Sequence, residues 1–207
     1  MFKYRRVLAF LLDTLFVSII SILLIANPKI NKYYESEETY SNALLEKQSH
    51  LKITSEDENI VDTMYEQIGV ELYDATKVQG LSIIIYLIVN TLYYSIFAFF
   101  NDGKTLGCAL FKIKIMKKDN KKANLLNLTM RSLFMGSSFI YRFPLTALCM
   151  FIIPRVLEPK LAFLPILYSN SLFMMLELVL LVVFITNKKC MTIQDYLSNT
   201  KIIDTKK

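Results

Sequence analysis

Four polar residues stand inside stretches of sequence that are otherwise apolar, and they are the first candidates for chemistry. Asp13 follows Arg6 by two helical turns, while Asn90, Arg142 and Glu177 stand in three further apolar stretches. An unpaired charge in a bilayer costs about 2.5–3.5 kcal/mol on insertion scales, so such residues either pair or serve a function. Asp13 and Glu177 are candidate proton or cation ligands, and Arg142 between them is a candidate modulator of their charge.

The apolar stretches have the length and composition of membrane-spanning helices. The chain has 207 residues of which 54% are apolar, a high share for a soluble domain. A bilayer core about 30 Å thick requires ~20 residues of helix. We therefore predict an all-α integral membrane protein with four transmembrane helices, at about 7–26, 81–100, 132–153 and 161–186. Arg142 and Pro144 leave open whether residues 132–153 cross the bilayer fully.

Helical spacing predicts that polar residues of different spans share one interior. Residues three, four or seven positions apart lie on one face of a helix. The sets that share a face are Arg6, Ala9 and Asp13, widened by Thr14, Ser18 and Ser21; Ser82, Tyr86, Asn90 and Tyr93; Ser138, Arg142 and Cys149; and Asn170 with Glu177. At 1.5 Å per residue, Asp13, Arg142 and Glu177 lie at similar depths, roughly 9–13 Å from one membrane surface. Such faces either hold helices together or line a pathway, and the spacing does not distinguish the two.

The distribution of lysine and arginine predicts the orientation. Segment 27–80 has five lysines against eleven acidic residues, whereas basic residues outnumber acidic ones in 1–6, 101–131 and 187–207. Because basic loops stay in the cytoplasm, we expect a plasma-membrane protein with both termini and the basic loop 101–131 cytoplasmic. Segment 27–80 is then an acidic extracytoplasmic insertion. The net charge of +6 needs no nucleic acid to explain it, since basic segments also bind anionic lipid.

Both longer loops carry a structural pattern. Ser55 and Glu58 have capping-box spacing before apolar residues at helical intervals, which predicts an amphipathic helix at about 56–74. Its apolar face is expected on the bilayer surface, on the transmembrane bundle or on a second copy. Residues 29–52 are predicted to be partly helical. In the basic loop, "FKIKIMKKDNKK" predicts either a hairpin with its turn at Asp119-Asn120 or a segment in the headgroup region.

Sites for cofactors and catalysis are not indicated by the sequence. None of the cysteines, Cys108, Cys149 and Cys190, lies in segment 27–80, and the single histidine, His50, lies in a polar loop. This pattern predicts neither a disulfide framework nor a metal site. The "GKT" sequence lacks the first glycine of a phosphate-binding loop, because Ala98 stands there. We expect no cofactor and no enzymatic activity.

Several motifs together resemble the RDD family of membrane proteins. They are the N-terminal Arg6-x-x-Ala9-x-x-x-Asp13, the loop "GKTLG" and the closing "IQDYLSNTKII". The resemblance implies a set of motif residues: Arg6, Asp13, Gly103, Lys104, Thr105, Leu106, Gly107, Arg131, Asp195 and Thr200. It covers nearly the whole chain except the outer segment, which is longer and more acidic than expected, and Cys108 and Lys112 depart from the family pattern. For function it implies transport of ions or small ligands.

Two functions remain as hypotheses. The first is transport, with cation/proton exchange through the intramembrane carboxylates as its most concrete form. Four spans without an internal repeat then require a homo-oligomer or another membrane protein to enclose a path. The second is a non-transporting scaffold, assembly factor or protective partner that acts through the acidic outer loop.

Overall fold

The computed structural model describes residues 2–51, 59–134, 144–186 and 191–205, with the backbone alone at Phe2 and over most of 170–185. Within these residues the protein is mostly helical, and its strands form one two-stranded sheet. The helical fold class predicted from the sequence is therefore confirmed, with a small sheet added to it.

The first helix, α1, runs from Phe2 to Ile25 and forms a candidate membrane span. It contains neither glycine nor proline, so its backbone hydrogen-bond ladder is continuous. The most apolar window of 18 residues within Lys3–Ile25 has a mean hydropathy of 2.6. Large apolar side chains such as Leu11 and Leu23 are more than half exposed, at 55% and 67%. A helix that exposes so much apolar surface is suited to contact with lipid rather than water.

The outer segment is helical over most of its length. Its elements are α2 (Tyr34–Ser49), α3 (Ile60–Met64), a π-helical turn (Tyr65–Gly69) and α4 (Val70–Val78). The helix predicted at 56–74 thus begins at Ile60 and extends beyond its predicted end. Asn59 caps it by accepting a hydrogen bond from the amide of Asp62 at 3.4 Å. The predicted capping box at Ser55 and Glu58 lies outside the described residues.

The second candidate span follows directly. It consists of α5 (Gly80–Thr91), a π-helical turn (Leu92–Phe97) and α6 (Ala98–Phe100). The most apolar window of 18 residues within the 21 residues Gly80–Phe100 has a mean hydropathy of 2.0. Among the described residues, these and Lys3–Ile25 are the two helices long and apolar enough to cross a membrane.

The remaining helices and the two strands follow the second candidate span along the chain. They are α7 (Leu106–Leu110), β1 (Ile113–Lys117), α8 (Leu125–Leu133), α9 (Pro144–Val156), α10 (Pro159–Thr186), α11 (Ile193–Leu197) and β2 (Thr200–Asp204). The third predicted span, 132–153, falls on the end of α8, on residues outside the description and on α9, a shorter apolar helix of 13 residues. The fourth, 161–186, falls within the 28-residue α10.

The apolar face of the outer helix packs on the bundle. Ile68 and Ala75 are buried, and the Tyr65 ring meets the Phe163 ring edge-on at 5.5 Å between centroids. The Tyr73 hydroxyl donates a hydrogen bond to the carbonyl of Pro154 at 2.8 Å. Of the three positions expected for this face, the structure therefore shows contact with α9 and α10.

The predicted short hairpin is present at its turn, but the sheet is formed with a different strand. A turn lies at Asp119-Asn120, where the amide of Asn120 donates to the carbonyl of Lys117 at 3.1 Å, and one antiparallel bridge joins Met116 to Lys122. Along its whole length, β1 pairs with the C-terminal strand β2, antiparallel, with Ile115 opposite Ile202. The alternating pattern identified a strand but carried no information on a partner so distant in sequence. The pairing brings the C-terminal segment to the basic loop.

Candidate functional site

Asp13 lies at the centre of a buried polar cluster. Its side chain is 1% exposed. Oδ1 accepts hydrogen bonds from the Tyr93 hydroxyl at 2.5 Å and from the Gly107 amide at 2.7 Å, and Oδ2 accepts one from the Thr105 hydroxyl at 2.6 Å. Hydrogen bonds to a carboxylate are stronger than neutral ones, so three donors offset much of the cost of burying this group.

The "GKTLG" loop is shaped to reach Asp13. Gly103 has a positive φ of 78°, and a Cβ there would lie 2.2 Å from the carbonyl oxygen of Ile115. A Cβ on Gly107 would lie 2.3 Å from the carbonyl oxygen of Ala9. Thr105 caps α7 by accepting from the Cys108 amide at 3.2 Å while donating to Asp13. Gly103 is therefore required for the turn and for its close approach to β1, and Gly107 for the close approach of the loop to α1.

A second buried cluster surrounds Asp195. Arg6 donates to its Oδ2 at 2.8 Å, and Arg131 donates to its Oδ1. Thr192 and Asp195 form a capping box at the start of α11, and Arg131 also donates to the Thr200 hydroxyl at 3.0 Å. The side chains of Arg6, Arg131 and Asp195 are at most 6% exposed. The cluster thus joins α1, α8 and the C-terminal segment.

The electrostatics of the Asp195 cluster follow from this geometry. Burial raises the pKa of Asp195, but the guanidinium groups of Arg131 and Arg6 oppose it and hold the pKa well below its usual range. Asp195 is consequently a fixed negative charge between two positive ones. Removing the Asp195 carboxylate would leave two buried guanidinium groups without a counter-charge, which is strongly destabilising.

The structure distributes the predicted site residues over two clusters. Arg6, which shares a helical face with Asp13, pairs with Asp195 instead. Around Asp13 no lysine or arginine lies within salt-bridge distance among the described residues. Arg142 and the side chain of Glu177 lie outside the described residues, so their expected arrangement with Asp13 stays a prediction.

Asn90, the fourth predicted residue, lies buried in α5. Its amide nitrogen donates to the carbonyl of Ser132 at 3.4 Å, while its Oδ1 has no hydrogen-bond partner among the described residues.

Two further residues, Lys104 and Cys108, lie in the loop motif or directly after it. Lys104 lies half-buried in the turn before α7. Cys108 is buried, and burial raises the pKa of its thiol, which suits a structural rather than a reactive cysteine.

Sequence reasoning missed the partners of Asp13. Tyr93 stood on the predicted polar face, and Thr105 and Gly107 stood in the motif, but nothing connected them to Asp13. The available signal was that a buried carboxylate requires donors and that Thr105 begins a short helix. Arg5 was also missed: it donates to Asp204 at 2.5 Å and to the carbonyl of Phe111 at 2.8 Å.

A cavity of about 400 Å³ lies at the opposite end of α1 and α5. Its lining comprises Ile25, Tyr34, Glu37, Glu38, Ser41, Gln79 and Ser82. The Ser82 hydroxyl donates to Glu37, at 2.6 Å from Oε2, and Asn31 donates to Glu37 Oε1 at 3.3 Å. Burial raises the pKa of Glu37, and the hydrogen bonds from Ser82 and Asn31 only partly oppose that effect.

These features define a helical membrane protein whose terminal segments and basic loop meet through buried charged and hydroxyl side chains. The sequence profile of the RDD family matches residues 3–199, essentially the whole chain, and the protein belongs to this family. The resemblance drawn from the motifs is thereby confirmed. No curated protein and no solved structure matches the chain.

Proposed function

We propose that the protein is a four-span transporter that exchanges protons for a monovalent cation, with Asp13 as the exchanging carboxyl. The observation that carries this proposal is the absence of a cationic partner for Asp13 among the described residues. A carboxyl without an ion pair can accept a proton without leaving an opposite charge unpaired.

The hydrogen-bond donors around Asp13 suit both of its charge states. Two of them, Tyr93 and Thr105, are hydroxyls, which accept as well as donate. When Asp13 is charged, both donate to it at 2.5–2.6 Å. When Asp13 is protonated, the Thr105 hydroxyl can rotate and accept a hydrogen bond from the carboxyl group. The same hydroxyl and carboxylate oxygens could coordinate a monovalent cation. Glu177 and Arg142 remain candidates for the same site.

The proposed orientation has both termini and the basic loop in the cytoplasm and segment 27–80 outside. Its support is that the basic segments meet at one end: Arg5 bonds both Asp204 and the carbonyls of Phe111 and Lys112. Since basic segments remain cytoplasmic, this end is assigned to the cytoplasm. A homo-oligomer, or another membrane protein, would supply the remaining wall of a path. Neither a cofactor nor catalysis is part of the proposal.

The test is ion flux in sealed proteoliposomes that contain the purified full-length chain. Internal pH is followed under imposed sodium or potassium gradients for wild type, Asp13→Asn and Glu177→Gln. Asp119→Asn, at an exposed aspartate of the basic loop, is the matched control. We expect flux in wild type and in the control, and none in Asp13→Asn. Wild-type vesicles that match empty ones for every cation would overturn the exchange.

A second function is favoured by the outer segment. Helix α2 has no buried residue, yet it is fixed against α4 by the Lys47–Glu71 ion pair. It therefore presents an ordered acidic surface to a binding partner, as a scaffold or protective protein requires. Deleting residues 30–75 would abolish such a function while leaving membrane insertion intact. If the cellular function survives that deletion, the partner hypothesis fails.

A further inference from the structure

Buried polar side chains form a stripe where α1 packs on α5 and on the π-helical turn that follows it. On α1 they are Asp13, Thr14, Ser18 and Ser21; on α5 they are Ser82, Tyr86 and Asn90, and Tyr93 follows in the turn, all of them buried. The intervals of three and four residues keep each set on one helical face. Between them lie the apolar members of the core, such as Val17 and Val89. The stripe is therefore a polar seam in an otherwise apolar interface.

The two ends of the seam are fixed by hydrogen bonds. At one end Tyr93 bonds Asp13 at 2.5 Å, and at the other Ser82 bonds Glu37 at the cavity. Since α1 and α5 run antiparallel, residues of equal depth face each other along their length. At 1.5 Å per residue, about 16 Å of helix separates Tyr93 from Ser82. This distance is about six hydrogen-bond lengths of about 2.8 Å.

Two atoms in the seam have no hydrogen-bond partner among the described residues. They are Ser21 Oγ and Asn90 Oδ1, and each side chain is at least nine-tenths buried. Thr14, on the same face, is a hydrogen-bond neighbour of the Tyr94 hydroxyl. An unsatisfied buried polar group costs about 1–3 kcal/mol, and such groups are almost always satisfied by protein or by ordered water. Ser21 and Asn90 are therefore the positions at which we expect bound water.

We propose that the α1–α5 seam is a water-filled proton path that joins the Glu37 cavity to Asp13. This proposal rests on the proposed function and specifies its route. A proton from the outer solution binds the Glu37 carboxylate and passes along waters held by Ser21 and Asn90 and along the Thr14 hydroxyl. Each relay group takes up one proton and releases one, so only the terminal carboxyl changes its charge. The proton that reaches Asp13 displaces one monovalent cation toward the opposite side.

The first test detects water and does not depend on transport. Solid-state NMR of the full chain in lipid bilayers measures magnetisation transfer from water to individual side chains. The matched controls are Val17 and Val89, which are buried on the same two helices. We expect transfer to Ser21 and Asn90 to build up at least about five times faster than to the valines, because ordered water lies within hydrogen-bond distance. Equal build-up rates would overturn the path, whatever the flux.

The second test concerns the route itself. Thr14→Val and Ser21→Ala remove one hydroxyl each, whereas Thr14→Ser and Ser21→Thr keep it. We expect flux in proteoliposomes to fall about tenfold or more in the first pair and to persist in the second, since each hydroxyl holds a relay water or is itself a relay group. If the first pair transports as wild type does, the path is overturned while exchange at Asp13 stands. If wild type itself shows no flux, exchange fails, and the NMR result alone decides whether the seam holds water.

Discussion

Asp13 and Asp195 are both buried carboxyls of family-motif residues, but their surroundings differ completely. Asp195 has two guanidinium partners, Arg6 and Arg131, and the peptide donors of a helix start. Asp13 has three donors, none of them charged. Arginines fix the charge of one carboxyl and thereby join distant segments of the chain. We propose that the other carboxyl, which has only uncharged donors, changes its charge during function.

The same substitution at both positions gives the largest expected difference. Asp195→Asn leaves two buried guanidiniums without a counter-ion, so we expect it to lower the free energy of unfolding by about 3–5 kcal/mol. Thermal unfolding of the purified protein in detergent measures this loss. Asp204→Asn, at the partly exposed pair with Arg5, is the control and should cost less than about 1 kcal/mol. Similar losses in the two variants would contradict the fixed-charge role.

A substitution in the loop should disturb the Asp13 cluster alone. Gly107→Ala places a methyl group against the backbone of Ala9, and overpacking of this kind costs about 1–3 kcal/mol. Because the Gly107 amide bonds Asp13, we expect the variant to lose flux as well as stability. Thermal unfolding and flux are measured on the same preparation, with exposed Ala109→Ser as control. A variant of wild-type stability would show that the loop does not approach α1 so closely.

Asp13→Asn should be tolerated far better than Asp195→Asn. The amide oxygen still accepts from Tyr93 and Gly107, and the Thr105 hydroxyl can accept from the amide nitrogen. We expect a loss of at most about 1.5 kcal/mol in the free energy of unfolding. Thermal unfolding beside Asp195→Asn measures the difference. Equal destabilisation would mean that both carboxyls are structural charges.

The smallest effect is expected at Glu37, where burial raises the pKa. A raised folded-state pKa means that this group's stabilising contribution is fully present below its ordinary pKa of 4.5 and is lost as pH rises through the folded value. Glu37→Gln should therefore match wild type at pH 4 and be slightly more stable at pH 8, by less than about 1 kcal/mol. Thermal unfolding at both pH values, with Glu38→Gln as control, measures this. A variant less stable at pH 8 would contradict the assigned direction.

Local features of the sequence predicted much of the architecture but little of the connectivity. Uninterrupted apolar runs identified α1 and α5, and helical periodicity placed Thr14, Ser21 and Asn90 on interior faces. These features depend on neighbouring residues only. The partners of Asp13 and Asp195 depend on how loops and termini fold back over the bundle. Such contacts join residues far apart in sequence, and no periodicity encodes them.

The resemblance to the family supplied a set of residues without their relations. The set contains Arg6, Asp13 and Asp195, and helical spacing placed Arg6 on the same face as Asp13. The structure shows that Arg6 lies with Asp195, because the C-terminal segment returns to α1. That single contact separates the Asp195 cluster, which joins distant segments, from the Asp13 cluster, for which we propose a chemical role.

The central claim is that Asp13 changes its protonation when the cation leaves. Infrared difference spectroscopy of the bilayer-embedded protein, recorded with and without sodium or potassium at constant pH, tests it most directly. The account predicts a protonated-carboxyl band that appears on cation removal, is absent from Asp13→Asn and persists in Asp119→Asn. A band of unchanged intensity in Asp13→Asn, or no cation-dependent band in wild type, would contradict it.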